Sequence, residues 1–418
     1  MINSSKLLTS LAFALLCAGC ASVPLDQPKT ASYAIEVSDQ TAYGQVVSNW
    51  ASVHASRSGF FPLVSGQDAL GARLELADNA QQSIDLQYFL MKEDSAGIVV
   101  SAALWRAADR GVRIRLLLDD VFTTVPDDGL AFLDAHPMIE VRIFNPIARR
   151  GLYGLNYLGH FKRANRRMHN KSFIVDNAIS VVGGRNIADE YFQLKTDELF
   201  ADFDMLAMGP IVPEISSSFD RYWNHALAIP LDQLIDLNEA GEDTELVFNE
   251  YDAEKQIYQN ALNKTLIRNL ADGTQPLFSA DARIIVDDPD KLLNSIGLEH
   301  MQLATELGQA MADASSEIMM ITPYYIPEEG GVDFIADIVD NGVRVVIVTN
   351  SLASNNHVPV HSAYATYRKP ILELGAELYE ARADGRRDHT NEIAAEPSAD
   401  QLTMHTKLFL IDRRYLFV

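Results

Sequence analysis

The same pattern occurs twice in this chain: Met-His-x-Lys-x-Phe-x-x-Asp, as MHNKSFIVD from Met168 to Asp176 and as MHTKLFLID from Met404 to Asp412. It does not recur alone. SIDLQYFLMKEDSAG (Ser83 to Gly97) returns as SEIMMITPYYIPEEG (Ser316 to Gly330), and GVRIRLLLDD (Gly111 to Asp120) returns as GVRVVIVTN (Gly342 to Asn350). The offsets are 234 between Ile84 and Ile318, 231 between Gly111 and Gly342, and 236 between His169 and His405. Three landmarks in one order at near-constant spacing mark an internal duplication. Each copy reads strand, helix, strand. Ile84–Tyr88, Ile318–Thr322, Val112–Leu118 and Val343–Val348 are apolar and rich in β-branched residues, as strands buried on both faces are. Ala102–Ala108 and Phe334–Val339 supply helical connections. The alternation predicts an α/β fold of two related halves, each an α/β sandwich.

The apolar run after each Lys makes the His-x-Lys segments read as buried strands, with His and Lys at i and i+2 on one face. A buried lysine costs several kcal/mol unless an anion or acid meets it. Two such lysines, each beside a histidine, point to a shared phosphate pocket. Histidine serves as nucleophile or as acid because its pKa lies near neutrality, and a covalent phosphoenzyme splits one hard phosphodiester step into two. Lys171 and Lys407 would hold non-bridging oxygens and offset charge in the transition state. The chemistry needs no metal or other cofactor, and no metal-ligand cluster stands out. In a continuous strand Asp176, seven residues after His169, falls on the other face; a turn or hydrogen-bonding role competes there with a chemical one.

His169-x-Lys171-x4-Asp176 and His405-x-Lys407-x4-Asp412 resemble the two HKD motifs of the phospholipase D superfamily, and Gly183-Gly184-Arg185-Asn186 resembles the segment that follows the first motif. The resemblance runs from about Ser83 to the end. Asn165–His169, Phe219–Asn224, Asn350–Ser354 and His361–Pro370 are similar to bacterial cardiolipin synthases of the C type. It implies a pseudo-twofold pair of halves with the site at their interface, catalytic roles for His169, Lys171, Asp176, His405, Lys407 and Asp412, His169 as nucleophile, His405 as acid then base, and Asn186 at the substrate. Asp202, in Phe200-Ala-Asp-Phe-Asp204, resembles the carboxylate that follows the first motif and would orient an imidazole; a charge at a strand edge is the competing reading. Lys162, Arg163, Arg166 and Arg167 form a basic cluster just before His169, suited to anionic headgroups, with Arg166 and Arg167 as substrate contacts; a solvated charge run is the alternative. Leu152–Leu158 is apolar and aromatic, suited to loop packing or to acyl chains.

The chain opens with Lys6, an apolar run from Leu7 to Leu16, and Cys17-Ala18-Gly19-Cys20. The run is too short to span a bilayer and fits an export signal. Its end resembles a bacterial lipobox, with Cys17 in place of the usual leucine, and implies lipidation of Cys20. Ala21 follows, with no aspartate there to resemble an inner-membrane retention signal, so a lipid-anchored, periplasm-facing protein of the cell envelope, in the outer membrane, is expected. No cysteine occurs after Cys20, which excludes a disulfide framework, a thiolate zinc site and a catalytic thiol in the body of the chain. With 34 Lys+Arg against 57 Asp+Glu, the net charge of −23 argues against a nucleic-acid partner.

The expected organisation is a signal at 1–20, a tether and lead-in at 21–75, a first half at 76–225, a connecting segment at 226–298 and a second half at 299–418. At an offset of 236 the counterparts of Gly183 and Asn186 fall just past Val418, so the second copy reads as cut short, either as a fragment of a longer protein or as a real truncation. The function expected from the resemblance is phosphatidyl transfer to a lipid alcohol, cardiolipin synthesis from phosphatidylglycerol or a related phospholipid. A phospholipase of the same site, a nuclease, and an inactive envelope lipoprotein are the alternatives.

Overall fold

The computed structural model describes Leu25, residues 28–147, 166–194, 198–237, 259, 269–270, 272–293, 301–383 and 401–418. The signal region with Cys17 and Cys20, Leu152–Leu158, Lys162 and Arg163 lie outside the described residues.

The first half is built on strands β1 (Ser58–Leu63), β2 (Ser83–Tyr88), β3 (Arg113–Asp119), β4 (Ile139–Phe144), β5 (Ser172–Val175), β6 (Ile179–Gly183), β8 (Asp204–Met208), β9 (Ala228–Pro230) and β10 (Phe278–Ala280), in the order β10-β1-β8-β6-β5-β2-β3-β4-β9. The second half holds β11 (Glu317–Ile321), β12 (Arg344–Asn350), β13 (Glu377–Ala381), β15 (Leu408–Ile411) and β16 (Tyr415–Phe417), in the order β13-β12-β11-β15-β16. The run β4-β3-β2-β5-β6 of the first sheet is matched strand for strand by the second. In both, the first three strands are parallel and the last two antiparallel. The duplication read in the sequence is therefore a duplication of topology. β7 (Glu198–Ala201) and β14 (Gln401–Met404) pair in parallel and join one half to the other.

The expected strands and helical connections are present. Residues 102–108 lie in the Ser95–Asp109 helix, capped by the Asp94 side chain on Gly97 N, and residues 334–339 lie in the Glu328–Asp340 helix. Crossover helices cover a sheet whose central strands β2 and β3 bury nearly every side chain. Two expected boundaries shift. The connecting segment 226–298 supplies both edge strands of the first sheet, β9 and β10, and the lead-in 21–75 supplies β1. Short edge strands carry a weak periodic signal, because three residues define no repeat.

The expected tether is bound along part of its length. Lys29 Nζ donates to the carbonyls of His225 and Ala228; Arg142, Arg115 and Arg113 donate to the carbonyls of Thr30, Ser32 and Tyr33; Ala34 N donates to Asp220. Beneath this segment Arg115 forms a bidentate pair with Asp85, both bonds 2.7 Å, and meets Asp220 at 2.8 Å.

The motif aspartates are turn residues. Asp176 and Asn177 follow β5, and Asp412 and Arg413 follow β15; all four have positive φ, as the two central residues of a type I′ hairpin turn require. The buried Asp176 carboxylate accepts from the backbone N–H groups of Gln81, Gln82 and Ser83, and Asp412 does the same for Ser315, Ser316 and Glu317. Each carboxylate thus fixes the start of β2 or β11, at the end of the sheet away from the histidines. Asp176→Ala leaves those N–H groups unmatched. It is expected to lower unfolding free energy by about 1–3 kcal/mol, measured by urea denaturation, while activity per folded molecule is retained.

Candidate active site

β5 runs antiparallel to β2, with Ser172 opposite Gln87, so His169 lies beyond the carboxyl end of β2. His405 takes the same position beyond β11, where Leu408 opposes Ile321. Neither histidine is inside a strand, contrary to the expectation; each sits in the irregular segment just before one, and His405 directly follows β14. The i, i+2 relation holds there all the same. Lys171 Nζ is 3.3 Å from His169 Nδ1 and donates to His169 O, and Lys407 Nζ is 3.2 Å from His405 Nδ1 and donates to His405 O.

The two pairs meet. The Lys171 ammonium, burial, and the charges of Lys407 and His405 together hold His169 well below the ordinary histidine range. Burial, with the Lys407 ammonium nearby, brings Lys171 down to about 7, and burial brings Lys407 down to about 8. Four basic groups from two halves share one desolvated space, which favours an anion between them. Phe89, at the end of β2, forms one wall: its ring lies 4.7 Å from that of His169 and 5.4 Å from Lys171 Nζ.

Asp202 crosses between the halves. Its Oδ2 lies 2.7 Å from His405 Nδ1, and its Oδ1 accepts from Phe203 N at 2.8 Å. The carboxylate of the first half therefore orients the imidazole of the second. Burial works against ionisation of Asp202, but the hydrogen bond and charge of His405, with Lys407, outweigh it and keep the carboxyl below its usual range. Burial, with the charges of Lys407 and Lys171, lowers His405 against the pull of Asp202. The β7–β14 pair sets this geometry, since His405 N donates 2.8 Å to Ala201 O, the residue before Asp202. Gly184 makes room: a Cβ there would lie 2.2 Å from Asp202 Oδ1.

A second pair of contacts was not anticipated from the sequence. Asp119, the last residue of β3, accepts from Met168 N at 2.9 Å; Asn350, the last residue of β12, accepts from Met404 N at 2.9 Å and donates to Met404 O. In each half the end of the middle parallel strand, β3 or β12, grips the residue before the histidine. Burial raises Asp119 to about 7 against the pull of Arg167. The signal was available, because Asp119 and Asn350 stand at the same offset of 231 as Gly111 and Gly342.

Other expected site residues divide. Asn186 is buried beside the Tyr191 hydroxyl, its Oδ1 accepts from Leu90 N, and the Tyr191 ring lies edge-on to that of His405 at 5.4 Å. Arg166 reaches Leu292 O at the edge of the site. Arg167 is corrected from headgroup contact to framework: its guanidinium binds Asp119 at 3.1 Å and Asn145 O at 2.8 Å. Asp176 and Asp412 are likewise framework, held at the opposite strand ends by the contacts described above.

Comparison with known proteins gives this arrangement a family. The model for "Cardiolipin synthase, PLD-like domain" matches residues 74–223 and 307–418, one segment per half. The chain belongs to the phospholipase D-like family. It is 40% identical over 371 residues to cardiolipin synthase C of Escherichia coli strain K12, covering 88% of this chain and 78% of that one. An uncharacterised Helicobacter pylori protein is 30% identical over 352 residues, covering 82% and 69%. The crystal structure of phosphatidylserine synthase from Haemophilus influenzae superposes with a TM-score of 0.52 at 15% identity, covering 89% of this chain and 81% of that one, a likeness of fold.

Two outcomes follow from the charges. An anion that restores both ammonium groups takes up protons as it binds, so sulfate affinity, read by calorimetry, is expected to fall as pH rises through about 7 to 8. Asp202→Asn removes the group that raises His405. Turnover is expected to fall by about 10²–10⁴-fold, and the alkaline limb of the pH profile, set by loss of the His405 proton, moves to lower pH.

Proposed function

We propose that this chain is a phosphatidyltransferase of the phospholipase D superfamily that makes cardiolipin through a phosphohistidine intermediate. The observation that carries this reading is the bond from Asp202 of the first half to His405 of the second, which seats His405-Lys407 close enough to His169-Lys171 for the Lys407 charge to lower both of the latter. The likeness to cardiolipin synthase C along most of both chains supports a phospholipid substrate.

His169, held neutral by the Lys171 charge, attacks phosphorus with its lone pair. The bond from phosphorus to the headgroup oxygen breaks, and His405 gives its proton to that oxygen. Asp202 stabilises the imidazolium before the transfer and holds Nδ1 so that the other ring nitrogen faces the reacting bond. Lys171 and Lys407 neutralise the non-bridging oxygens as charge gathers on them. An acceptor hydroxyl then enters, gives its proton to His405 and attacks the phosphohistidine, which regenerates His169. The headgroup alcohol of a second phospholipid as acceptor gives cardiolipin; water would give phosphatidic acid.

Lipidation at Cys20, an anchor in the outer membrane and a periplasm-facing catalytic body complete the proposal; the lipobox-like Leu16-Cys17-Ala18-Gly19-Cys20 supports them. No helix among the described residues is long and apolar enough to cross a membrane.

The test is lipid mass spectrometry in cells that lack other cardiolipin synthases. The natural gene product is expected to restore cardiolipin, and His169→Ala to lower it by at least ~10³-fold. Phosphatidic acid without cardiolipin would replace transfer by hydrolysis, and no lipid change from a well-expressed protein would overturn the lipid reading.

A further inference from the structure

We infer that the carboxyl-terminal strand ends around the two histidines form a membrane-docking face, an apolar rim held against a phospholipid bilayer by the N-terminal anchor. The inference rests on the lipidation of Cys20 proposed above.

The bound N-terminal segment has a direction. Tyr33 lies against Arg113, at the start of β3, and Ser32 against Arg115, two residues further along. Thr30 meets Arg142 within β4, and Lys29 binds the carbonyl of Ala228, which pairs with Phe144 at the end of β4. Read backwards from Tyr33 to Lys29, the chain climbs the sheet from the strand starts to the strand ends. It therefore leaves the described fold at the end that carries the histidines. Leu25 packs against the apolar cluster that holds Phe144 and Met168, and Cys20 stands five positions before it, a reach of ~17 Å when fully extended. An acylated Cys20 keeps the bilayer within that distance of the catalytic end.

The same end displays apolar side chains. Phe122, just past β3, is 52% exposed and touches Phe89, the aromatic wall of the His169 pocket. In the second half, the loops after β11 and β12 are bound together by the Tyr324 hydroxyl on Asn356 and by the Tyr324–His357 contact. They present Ile326 at 40%, Leu352 at 60% and Val358 at 60% exposure. Leu293, 46% exposed, adjoins Leu292, whose carbonyl holds Arg166. Single exposed apolar residues are ordinary; five around one catalytic mouth, beside the exit of an anchored chain, form an interaction surface. The partner is a lipid surface because the N-terminal segment, with the anchor proposed at Cys20, leaves the sheet at this same end; the net charge of −23 then decides how it docks. An anionic membrane repels it, so docking has to come from the acyl anchor and apolar insertion rather than from charge.

The Val358–Glu373 helix is a built-in ruler. It begins at the rim with Val358 and carries the exposed Leu372 back toward the strand starts, ~21 Å away. In the exported, acylated protein, Phe122→Cys, Leu352→Cys and Val358→Cys are each labelled with bimane, with Leu372→Cys and Val53→Cys as references. The proteins are bound to phosphatidylglycerol–phosphatidylethanolamine vesicles that contain brominated lipid. Several-fold stronger quenching at the three rim positions than at the two references is expected, unchanged by raised salt. Equal quenching at Leu372, or none at the rim of vesicle-bound protein, overturns the docking face. The quenching needs no turnover, so a failed transferase reading shows separately, as no phospholipid conversion. Mass spectrometry of the N-terminal peptide shows separately whether Cys20 is acylated; without acylation the anchor is overturned and the rim is judged on its quenching alone. The double variant Leu352→Asp, Val358→Asp is expected to lose at least fivefold in turnover of vesicle lipid while keeping its turnover of monomeric short-chain phosphatidylglycerol. Equal loss on both substrates would assign those residues to the fold and not to docking.

Discussion

The hydrogen bond between Asp202 and His405 is the constraint on which the rest of the site depends. It spans the two halves, so it forms only when the second half is seated on the first. The β7–β14 pair brings Ala201 and His405 together, and Gly184 leaves the space that the Asp202 carboxylate fills. With the halves fixed in this way, the four basic groups are forced to share one desolvated space. Burial lowers all four pKa values, like charge adds to it at His169, Lys171 and His405, and a phosphodiester supplies the counter-charge. The site is thus assembled under an electrostatic load that its substrate relieves.

The frame that bears this load is repeated. Asp119 and Asn350 grip the residue before each histidine, and Asp176 and Asp412 tie each hairpin turn to the start of its neighbouring strand. The geometry is kept across the duplication while the chemistry varies: a carboxylate paired with Arg167 in one half, a neutral amide in the other. Either side chain can accept from the backbone N–H of a methionine, which is all the position requires. Further inside the first half, Asp204 pairs with the buried Arg73 at 2.9 Å and also lies near Arg185, so the segment that carries Asp202 is itself held by ion pairs out of water. Removing one partner of such a buried pair strands the other, at a cost of about 3–5 kcal/mol.

Much of the fold was legible because it rests on periodicity and repetition. β2, β3, β11 and β12 are buried on both faces and read as continuous apolar runs; the helices between them carry ordinary helical patterns. β9 and β10 were not legible, because strands of three residues are recruited by the edge they join and not by their own sequence. The bound segment from Pro28 to Ala34 was also invisible: apart from the Lys29 ammonium and the Ser32 hydroxyl, its contacts are made by backbone N–H and carbonyl groups, which leave no mark in side-chain patterning. Arg167 illustrates the same limit from the other side. Its charge reads equally well as a ligand for a headgroup or for a buried carboxylate until Asp119 is found beside it.

By itself the sequence determined that two copies of one α/β unit are present, that each carries a histidine and a lysine at i and i+2, and that a short apolar run ending in a cysteine stands ahead of them. Those properties are local: strand burial, an i, i+2 spacing, a short apolar run with a cysteine at its end. Only the tertiary structure decided which carboxylate serves which histidine, which of the conspicuous aspartates are turn residues, and toward which end of the sheet the N-terminal segment runs. The reason is distance along the chain. Asp202 and His405 are 203 positions apart, and a contact across that separation is set by the pairing of β7 with β14, which no local pattern encodes.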